Sequence, residues 1–217
     1  MTQTVIFDMD GVIIDSEPLH YISQKKLTDK LGFSLTETQA QQFIGTSSKN
    51  MWQILKTQYE LPYSVEELME MGLESYFDIL DQTPVEPIAG VRELIEDLHT
   101  HKIRLVLASS SERKSIDKVL KLFSLEKYFD HRISGAEFIQ SKPHPEIFLT
   151  ALQKTQSQPH QAVVIEDSTN GIKAAKAAGI FCFGYDNPNS PGQALHLSDC
   201  IIDSFLQADI TDIILRK

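Results

Sequence analysis

The chain has 217 residues, 30 of them acidic and 20 basic, which gives a formal net charge of −10 at pH 7. This length allows one large domain or a core with a smaller second domain. The acidic balance argues against nucleic acid or an anionic membrane as the main partner, and it favours a monomer. The sequence has no long apolar run and no secretion signal, and its cysteines, Cys182 and Cys200, stand among apolar residues. We therefore expect a cytoplasmic protein without membrane contact, whose cysteines pack in the core.

Hydrophobic periodicity predicts the elements along the chain. A short apolar strand covers residues 4–7, and residues 17–81 then show apolar positions at helical spacing, which indicates several helices and no strand. After an extended linker at 83–87 the two patterns alternate. Strands are predicted near 103–108, 132–133, 162–165 and 180–183, and helices near 90–99, 112–123, 145–154, 169–178 and 205–215.

Apolar strands that alternate with amphipathic helices are typical of a parallel sheet covered on both faces. We therefore predict an α/β fold with a Rossmann-like parallel sheet core, formed by residues 1–16 and 83–217. A small inserted α-helical cap domain is predicted for residues 17–82, with hinges near Asp15 and Thr83. In such sheets ligands bind at the carboxyl ends of the strands, so the residues that follow each strand are the candidates for chemistry.

Polar residues follow four of the predicted strand regions. Taken singly, each group has a simpler explanation, such as a turn, a helix cap or a solvated lysine. Their occurrence in order, each at a separate strand end, indicates one shared site instead. The groups are Asp8-Met9-Asp10-Gly11, Ser109-Ser110-Ser111, Ser141-Lys142-Pro143 and Glu166-Asp167-Ser168.

These residue types suit phosphoryl transfer to a carboxylate. Clustered carboxylates without His or Cys favour a hard cation, Mg²⁺ first. Asp8 is a candidate nucleophile, and Asp10 is a candidate general acid that then acts as base toward water. Ser109 and the backbone N–H groups after it begin a helix and offer an anion site, where Ser110 is a candidate substrate contact. Lys142 adds a positive charge to oppose the negative charge of the transition state.

At these residues the sequence resembles the haloacid dehalogenase superfamily. Within it, the segments 12–20 and 141–148 are most similar to the β-phosphoglucomutase and sugar-phosphate phosphatase branch. The matching motifs occur in the family's order: Asp8-Met9-Asp10-Gly11, Leu107-Ala108-Ser109, Lys142-Pro143 and Glu166-Asp167-Ser168.

The resemblance implies a role for each of these side chains. Asp8 is expected to become phosphorylated, Asp10 to be the acid/base, and Ser109 and Lys142 to hold the phosphoryl oxygens. The expected Mg²⁺ site includes the backbone carbonyl of Asp10. Its full set of ligands is Asp8, Asp10, Glu166 and Asp167.

The inserted segment bears on the choice between hydrolysis and isomerisation. Within the branch, a mutase has an arginine where this chain has Ser48 in the turn that begins at Gly45, and Lys49 follows one place late. A second mutase lysine aligns roughly with Gly72. These differences favour a Mg²⁺-dependent phosphatase for small phosphorylated metabolites, sugar phosphates above all. The alternatives are a phosphomutase of the β-phosphoglucomutase type and, third, a non-catalytic phospho-ligand-binding protein.

Substrate contacts are predicted on both parts of the chain. Ser110 is expected to contact the substrate from the core. The phosphatase and mutase branches share His20, which the resemblance makes a candidate to position Asp10 when the cap closes; an ordinary helix histidine is an equal explanation. The predicted substrate-binding residues are Gly45, Ser110, His20 and Lys49.

Overall fold

A computed structural model describes residues 2–43, 47–207 and 209–217 of the chain. The chain forms two compact units. Unit 1 comprises Met1–Asp15 and Glu86–Lys217, and unit 2 comprises Ser16–Val85. The division lies within a few residues of the boundaries expected from the sequence. The role of unit 2 as a cap stays a prediction.

Strand β1 (Thr4–Phe7) begins unit 1 and is buried along its whole length. The chain then enters unit 2, where the described residues form helices and no strand. Its helices are α1 (Glu17–Lys30), α2 (Glu37–Gln41), α3 (Ser48–Tyr59) and α4 (Val65–Gln82).

Local sequence explains where the longest helix of unit 2 begins. Ser64 accepts a hydrogen bond from the backbone N–H of Glu67 at 3.1 Å, and the Glu67 carboxylate accepts one from the Ser64 N–H at 2.7 Å. This capping box satisfies two backbone donors that the first helical turn leaves unpaired. One group of buried side chains in unit 2 forms an apolar core, made by Leu27, Leu35, Met51, Trp52, Leu55, Leu61, Val65 and Leu68.

The remainder of unit 1 alternates helices with strands. The helices are α5 (Val91–Thr100), α6 (Arg113–Leu122), α7 (Glu146–Thr155), α8 (Thr169–Ala177) and α9 (Ile210–Leu215). The strands are β2 (Arg104–Ser109), β3 (His131–Ser134), β4 (Ala162–Glu166), β5 (Phe181–Tyr185) and β6 (Cys200–Ile202).

In the described chain all these strands join one six-stranded parallel sheet in the order β3-β2-β1-β4-β5-β6. Ile6 and Val164 pack into one core with apolar residues of α7 and α8. Their neighbours Val5 and Val163 point to the opposite face and are also buried. The α/β fold with both sheet faces covered is therefore confirmed.

Three details near the C-terminus differ from the sequence expectation. Strand β6 is an additional edge strand, and Cys200 within it is only partly buried, so the core prediction holds for Cys182 alone. The last helix begins at Ile210 rather than near Phe205, because Phe205 instead stacks on Tyr185 with ring centroids 4.5 Å apart. None of the described helices combines the length and apolar character needed to cross a membrane.

Candidate active site

The sheet order brings together the polar residues that follow the carboxyl ends of the strands. Strand β1 lies between β2 and β4, and the register aligns Phe7 with Leu107 on one side and with Ile165 on the other. The next residue, Asp8, donates its backbone N–H to the Ile165 carbonyl at 3.0 Å. The Asp8 side chain therefore lies at the carboxyl end of β1, next to the end of β4 where Glu166 stands, as the strand pattern predicted.

Lys142 reaches this edge from the loop that follows β3. Its Nζ donates to Asp8 Oδ1 at 2.6 Å, to Glu166 Oε1 at 2.6 Å and to the Ala108 carbonyl at 2.9 Å. Its side chain is only 5% exposed. The explanation of Lys142 as a solvated surface residue is therefore wrong, because the amine is enclosed by acceptors from three strand ends.

Glu166 is completely buried, and protein donors satisfy both of its oxygens. Oε1 accepts from Lys142, while Oε2 accepts from the backbone N–H of Ser168 at 3.0 Å and from its hydroxyl at 2.9 Å. Ser168 also caps α8 by accepting from the Gly171 N–H at 3.0 Å. A Cβ on Gly171 would lie 1.7 Å from Glu166 Oε1, so this glycine makes the space that the carboxylate occupies.

The electrostatics of the site are those of crowded carboxylates. Burial, and then the Glu166 and Asp10 charges, raise the pKa of Asp8 to about 8 although Lys142 opposes the shift. Burial and the charges of Glu166 and Asp8 raise the pKa of Asp167 to about 9. Burial alone would lower the pKa of Lys142, but the Asp8 and Glu166 carboxylates outweigh it and raise that pKa. Lys142 is therefore positively charged at neutral pH.

These residues fit a divalent cation. One carboxylate oxygen from each of Asp8, Glu166 and Asp167 lies within 4.8 Å of the other two. Lys142 Nζ contacts two of these carboxylates, Asp8 and Glu166, so the group, when it is ionised, carries more negative charge than this one lysine offsets. A hard cation bound by oxygen ligands would offset that charge, and Mg²⁺ prefers such ligands.

Asp10 lies beside the serine cluster that follows β2. Its Oδ2 accepts from the Ser109 hydroxyl at 3.2 Å and from the Ser111 hydroxyl at 2.7 Å. The Ser109 hydroxyl in turn accepts from the Ser111 N–H at 3.0 Å. Ser109 does not cap α6, whose N-cap residue is Glu112. Ser110, predicted to contact substrate, is exposed at the same turn.

The other predicted substrate-binding residues belong to unit 2. His20 lies in α1 and stacks on Tyr76 with ring centroids 4.4 Å apart. Lys49 lies in the exposed first turn of α3. Gly45 lies outside the described residues.

Two groups of side chains at the site were not predicted. Ser111 holds Asp10 but was assigned no role, although it belongs to the serine cluster that the sequence singled out. The loop after β5, which lies next to β4 in the sheet, also reaches the site. Asn187, from the same loop, donates to the Gly11 carbonyl at 3.0 Å. The Asn-Pro-Asn-Ser-Pro sequence of this loop indicates a turn and carries no recognisable chemical motif.

The sequence profile of the haloacid dehalogenase-like hydrolases matches residues 5–185, which include every one of the strand ends described above. The chain belongs to the haloacid dehalogenase-like hydrolase family. Its motifs place it in the β-phosphoglucomutase-like and sugar-phosphate phosphatase branch.

Similar proteins in this family carry out phosphoryl chemistry. A phosphorylated carbohydrates phosphatase of Thermotoga maritima is 33% identical over 198 residues, 89% of each chain. Hexitol phosphatase B of Escherichia coli is 32% identical over 178 residues, 80% of this chain and 78% of its own. The crystal structure of a Clostridium difficile β-phosphoglucomutase is 26% identical with a TM-score of 0.81, and covers 98% of this chain and 96% of its own. The haloacid dehalogenase-like chain is therefore an enzyme of the phosphatase or phosphomutase type.

Proposed function

We propose that the chain is a Mg²⁺-dependent phosphatase that hydrolyses small phosphorylated metabolites, sugar phosphates among them, through an aspartyl phosphate on Asp8. The observation that carries this proposal is the contact of Lys142 with both Asp8 and Glu166 at 2.6 Å, inside a buried acidic site. A nucleophilic carboxylate needs nearby positive charge if it is to approach an anionic phosphate. Lys142 supplies part of that charge.

In the first half-reaction a carboxylate oxygen of Asp8 attacks phosphorus, and the bond from phosphorus to the leaving oxygen breaks. Asp10 donates a proton to that oxygen, which leaves as an alcohol. Lys142 opposes the negative charge that gathers on the phosphoryl oxygens. Ser109 is assigned a contact to the same oxygens, since it lies at the strand end beside Asp10.

In the second half-reaction water attacks the phosphorus of the aspartyl phosphate. Asp10, now a carboxylate, takes a proton from that water, and the bond between phosphorus and the Asp8 oxygen breaks. Inorganic phosphate leaves and both aspartates return to their starting protonation states. The hydroxyls of Ser109 and Ser111 hold the Asp10 carboxylate at the site.

The proposed Mg²⁺ site uses Asp8, Asp167 and the backbone carbonyl of Asp10. When bound, Mg²⁺ supplies positive charge that neutralises the phosphate and the acidic cluster. Glu166 is retained as a ligand in this proposal, and both of its oxygens are already oriented by Lys142 and Ser168.

The family relatives support sugar phosphates as the substrate class, because the Thermotoga maritima relative is a phosphorylated carbohydrates phosphatase. A phosphomutase is the second candidate, supported by the likeness to the Clostridium difficile mutase. Unit 2 favours the phosphatase. A Cβ at Gly72 would lie 3.1 Å from the Trp52 indole nitrogen, so this position is tightly packed and lacks the lysine of the mutase.

Phosphate release from a panel of phosphorylated sugars, with Mg²⁺ and with excess chelator, tests the proposal. We expect release that requires Mg²⁺ and that is lost in Asp8→Asn. Asp212→Asn is the matched control, because this carboxylate is exposed in α9 and lies outside the site. Full activity of Asp8→Asn would contradict the nucleophile assignment.

The same panel separates the two candidates when it includes β-glucose 1-phosphate. A phosphatase releases inorganic phosphate and free sugar from it. A phosphomutase converts it to glucose 6-phosphate with little release and depends on a bisphosphate activator. Tight binding without either product across the panel would instead favour the non-catalytic alternative.

A further inference from the structure

The turn that follows β2 presents two serine hydroxyls to the acid/base candidate Asp10. The Ser111 hydroxyl donates to Asp10 Oδ2 at 2.7 Å, and the Ser109 hydroxyl donates to the same oxygen at 3.2 Å. The Ser111 distance is typical of a hydrogen bond between two oxygens, whereas the Ser109 distance is longer than usual. Of the two hydroxyls, Ser111 therefore makes the stronger contact with Asp10.

The backbone of Ser111 is held in place from two directions. Ser134, which ends β3 and is fully buried, donates its hydroxyl to the Ser111 carbonyl at 2.7 Å. The Ser111 N–H donates to Ser109 Oγ at 3.0 Å. A Cβ on Gly135 would lie 2.9 Å from the Ser110 Cα, so the residue after β3 packs directly against the same turn. The turn therefore has little freedom to move.

The two hydroxyls differ in what substrate binding asks of them. A serine hydroxyl has one proton and donates it to one acceptor at a time. The proposed function assigns the Ser109 hydroxyl to the phosphoryl oxygens, so its proton is no longer donated to Asp10 once substrate is bound. Of the two hydroxyls, Ser111 is then the one that continues to donate to the Asp10 carboxyl group.

We propose that the two serines have separate roles: Ser109 serves the phosphoryl group, and Ser111 is a positioning residue that holds the Asp10 carboxyl group where it exchanges protons with the leaving oxygen and with water. This inference rests on the proposed function. Ser111 acts through Asp10 and is assigned no contact with substrate or with the reacting atoms. Its contribution to the rate should therefore exist only while the Asp10 carboxyl group is present.

A double-mutant cycle tests this role with the full-length protein and the best phosphorylated sugar of the panel. Ser111→Ala should lower kcat/KM about 10- to 100-fold, because a misplaced acid/base group transfers its proton less efficiently. Asp10→Ala should lower kcat/KM by about 100-fold or more. In the Asp10→Ala background, Ser111→Ala should cost less than about threefold, because the group through which it acts is already absent.

The leaving group provides a second measurement. The 4-nitrophenolate anion is a stable leaving group that needs little protonation, whereas a sugar hydroxyl needs a proton as its bond to phosphorus breaks. In Ser111→Ala, kcat/KM for 4-nitrophenyl phosphate should therefore change by less than about threefold while that for the phosphorylated sugar falls. A general loss of structure would lower kcat/KM for both substrates equally.

Three further variants serve as controls. Ser111→Thr keeps the hydroxyl and should restore most of kcat/KM. Ser34→Ala is the matched control, because the Ser34 hydroxyl also donates to a carboxylate, that of Asp29, but at an exposed position of unit 2. This variant should have the kinetics of the parent chain. If Ser111→Ala does not fold, Ser111→Cys replaces it in the cycle, since a thiol has similar size but is a weak donor.

Failure of the inference and failure of the proposed function give different results. Parent-like kcat/KM in Ser111→Ala, or a loss in the Asp10→Ala background as large as in the parent background, overturns the positioning role alone. Full activity of Asp10→Ala overturns the acid/base assignment as well. A parent chain that releases no phosphate from any member of the panel overturns the proposed function itself.

Discussion

Lys142 Nζ lies 2.6 Å from Asp8 Oδ1 and at the same time 2.6 Å from Glu166 Oε1. The two carboxylates follow or end adjacent strands of the sheet, and the lysine comes from the loop after β3. One ammonium group thus connects three separated parts of the chain inside a nearly solvent-free site. Removal of that ammonium should affect both stability and chemistry.

Lys142→Met should destabilise the protein and reduce its activity. The change leaves the fully buried Glu166 without its cationic partner, and breaking a buried ion pair typically costs about 3–5 kcal/mol. Phosphate release should fall by about 100-fold or more because the transition state loses a nearby positive charge. Chemical denaturation and steady-state kinetics measure the two effects.

Lys25→Met is the matched control for Lys142→Met. Lys25 pairs with Asp29 at 3.1 Å on the surface of α1, and the two side chains are 48% and 42% exposed. A pair of this kind contributes at most about 1 kcal/mol. Equal losses of stability in the two variants would contradict the conclusion that the Lys142 pairs are structurally important.

Asp167→Asn should stabilise the metal-free protein, and more strongly as the pH rises. The pKa of Asp167 is raised from 3.8 to about 9 by folding, so the folded chain holds this proton more tightly than the unfolded chain. The parent protein therefore loses stability as pH rises through this range, and an amide at position 167 does not. Melting temperatures in excess chelator between pH 5 and pH 9 measure the difference.

Asp167→Asn should also gain little thermal stability from Mg²⁺. A ligand that binds only the folded chain raises its stability, and removal of a ligand group reduces that effect. We expect Mg²⁺ to raise the melting temperature of the parent at pH 8 and to leave Asp167→Asn nearly unchanged. An Asp167→Asn protein that melts below the parent at pH 9 in chelator would contradict the electrostatic argument.

Mg²⁺ binding should release protons at neutral pH. The pKa of Asp8 is raised to about 8 and that of Asp167 to about 9 by burial and neighbouring carboxylates, so both bind protons near pH 7 in the metal-free protein. A cation competes with those protons, and its apparent affinity should rise from pH 6 to pH 9. Calorimetry at pH 7 in buffers of different ionisation enthalpy measures the release. Binding heats that do not depend on the buffer would contradict this prediction.

Much of the site could be predicted because its motifs are local. Asp8 and Asp10 follow a short apolar strand, and Glu166 and Asp167 follow another, so pattern alone places them at strand ends. The meeting of these ends depends on the sheet order, which the parallel α/β pattern and the family resemblance both imply.

The rest depends on tertiary contacts that have no local signal. Lys142 lies in a Ser-Lys-Pro loop that by itself resembles solvated surface, and only its contacts with Asp8 and Glu166 explain its burial. Asn187 belongs to a sequence typical of a turn, and it reaches Gly11 because β5 lies next to β4. Strand β6 was missed for a similar reason: its three residues form a strand by pairing with β5.

Gly11→Ala should disturb the metal site beyond the cost of its backbone strain, and Gly32→Ala separates the two effects. Both glycines have positive φ, +76° and +89°, where alanine costs about 1–2 kcal/mol. A Cβ at Gly11 would lie 2.1 Å from Asp167 Oδ2, whereas a Cβ at Gly32 meets nothing within 4 Å. We expect similar backbone strain in the two variants. Gly11→Ala alone should bind Mg²⁺ more weakly and release phosphate about 100-fold more slowly, because its Asp167 carboxylate must move. Mg²⁺ calorimetry and kinetics measure the difference, and parent-like Mg²⁺ affinity in Gly11→Ala would show that Asp167 can move without harm to the site.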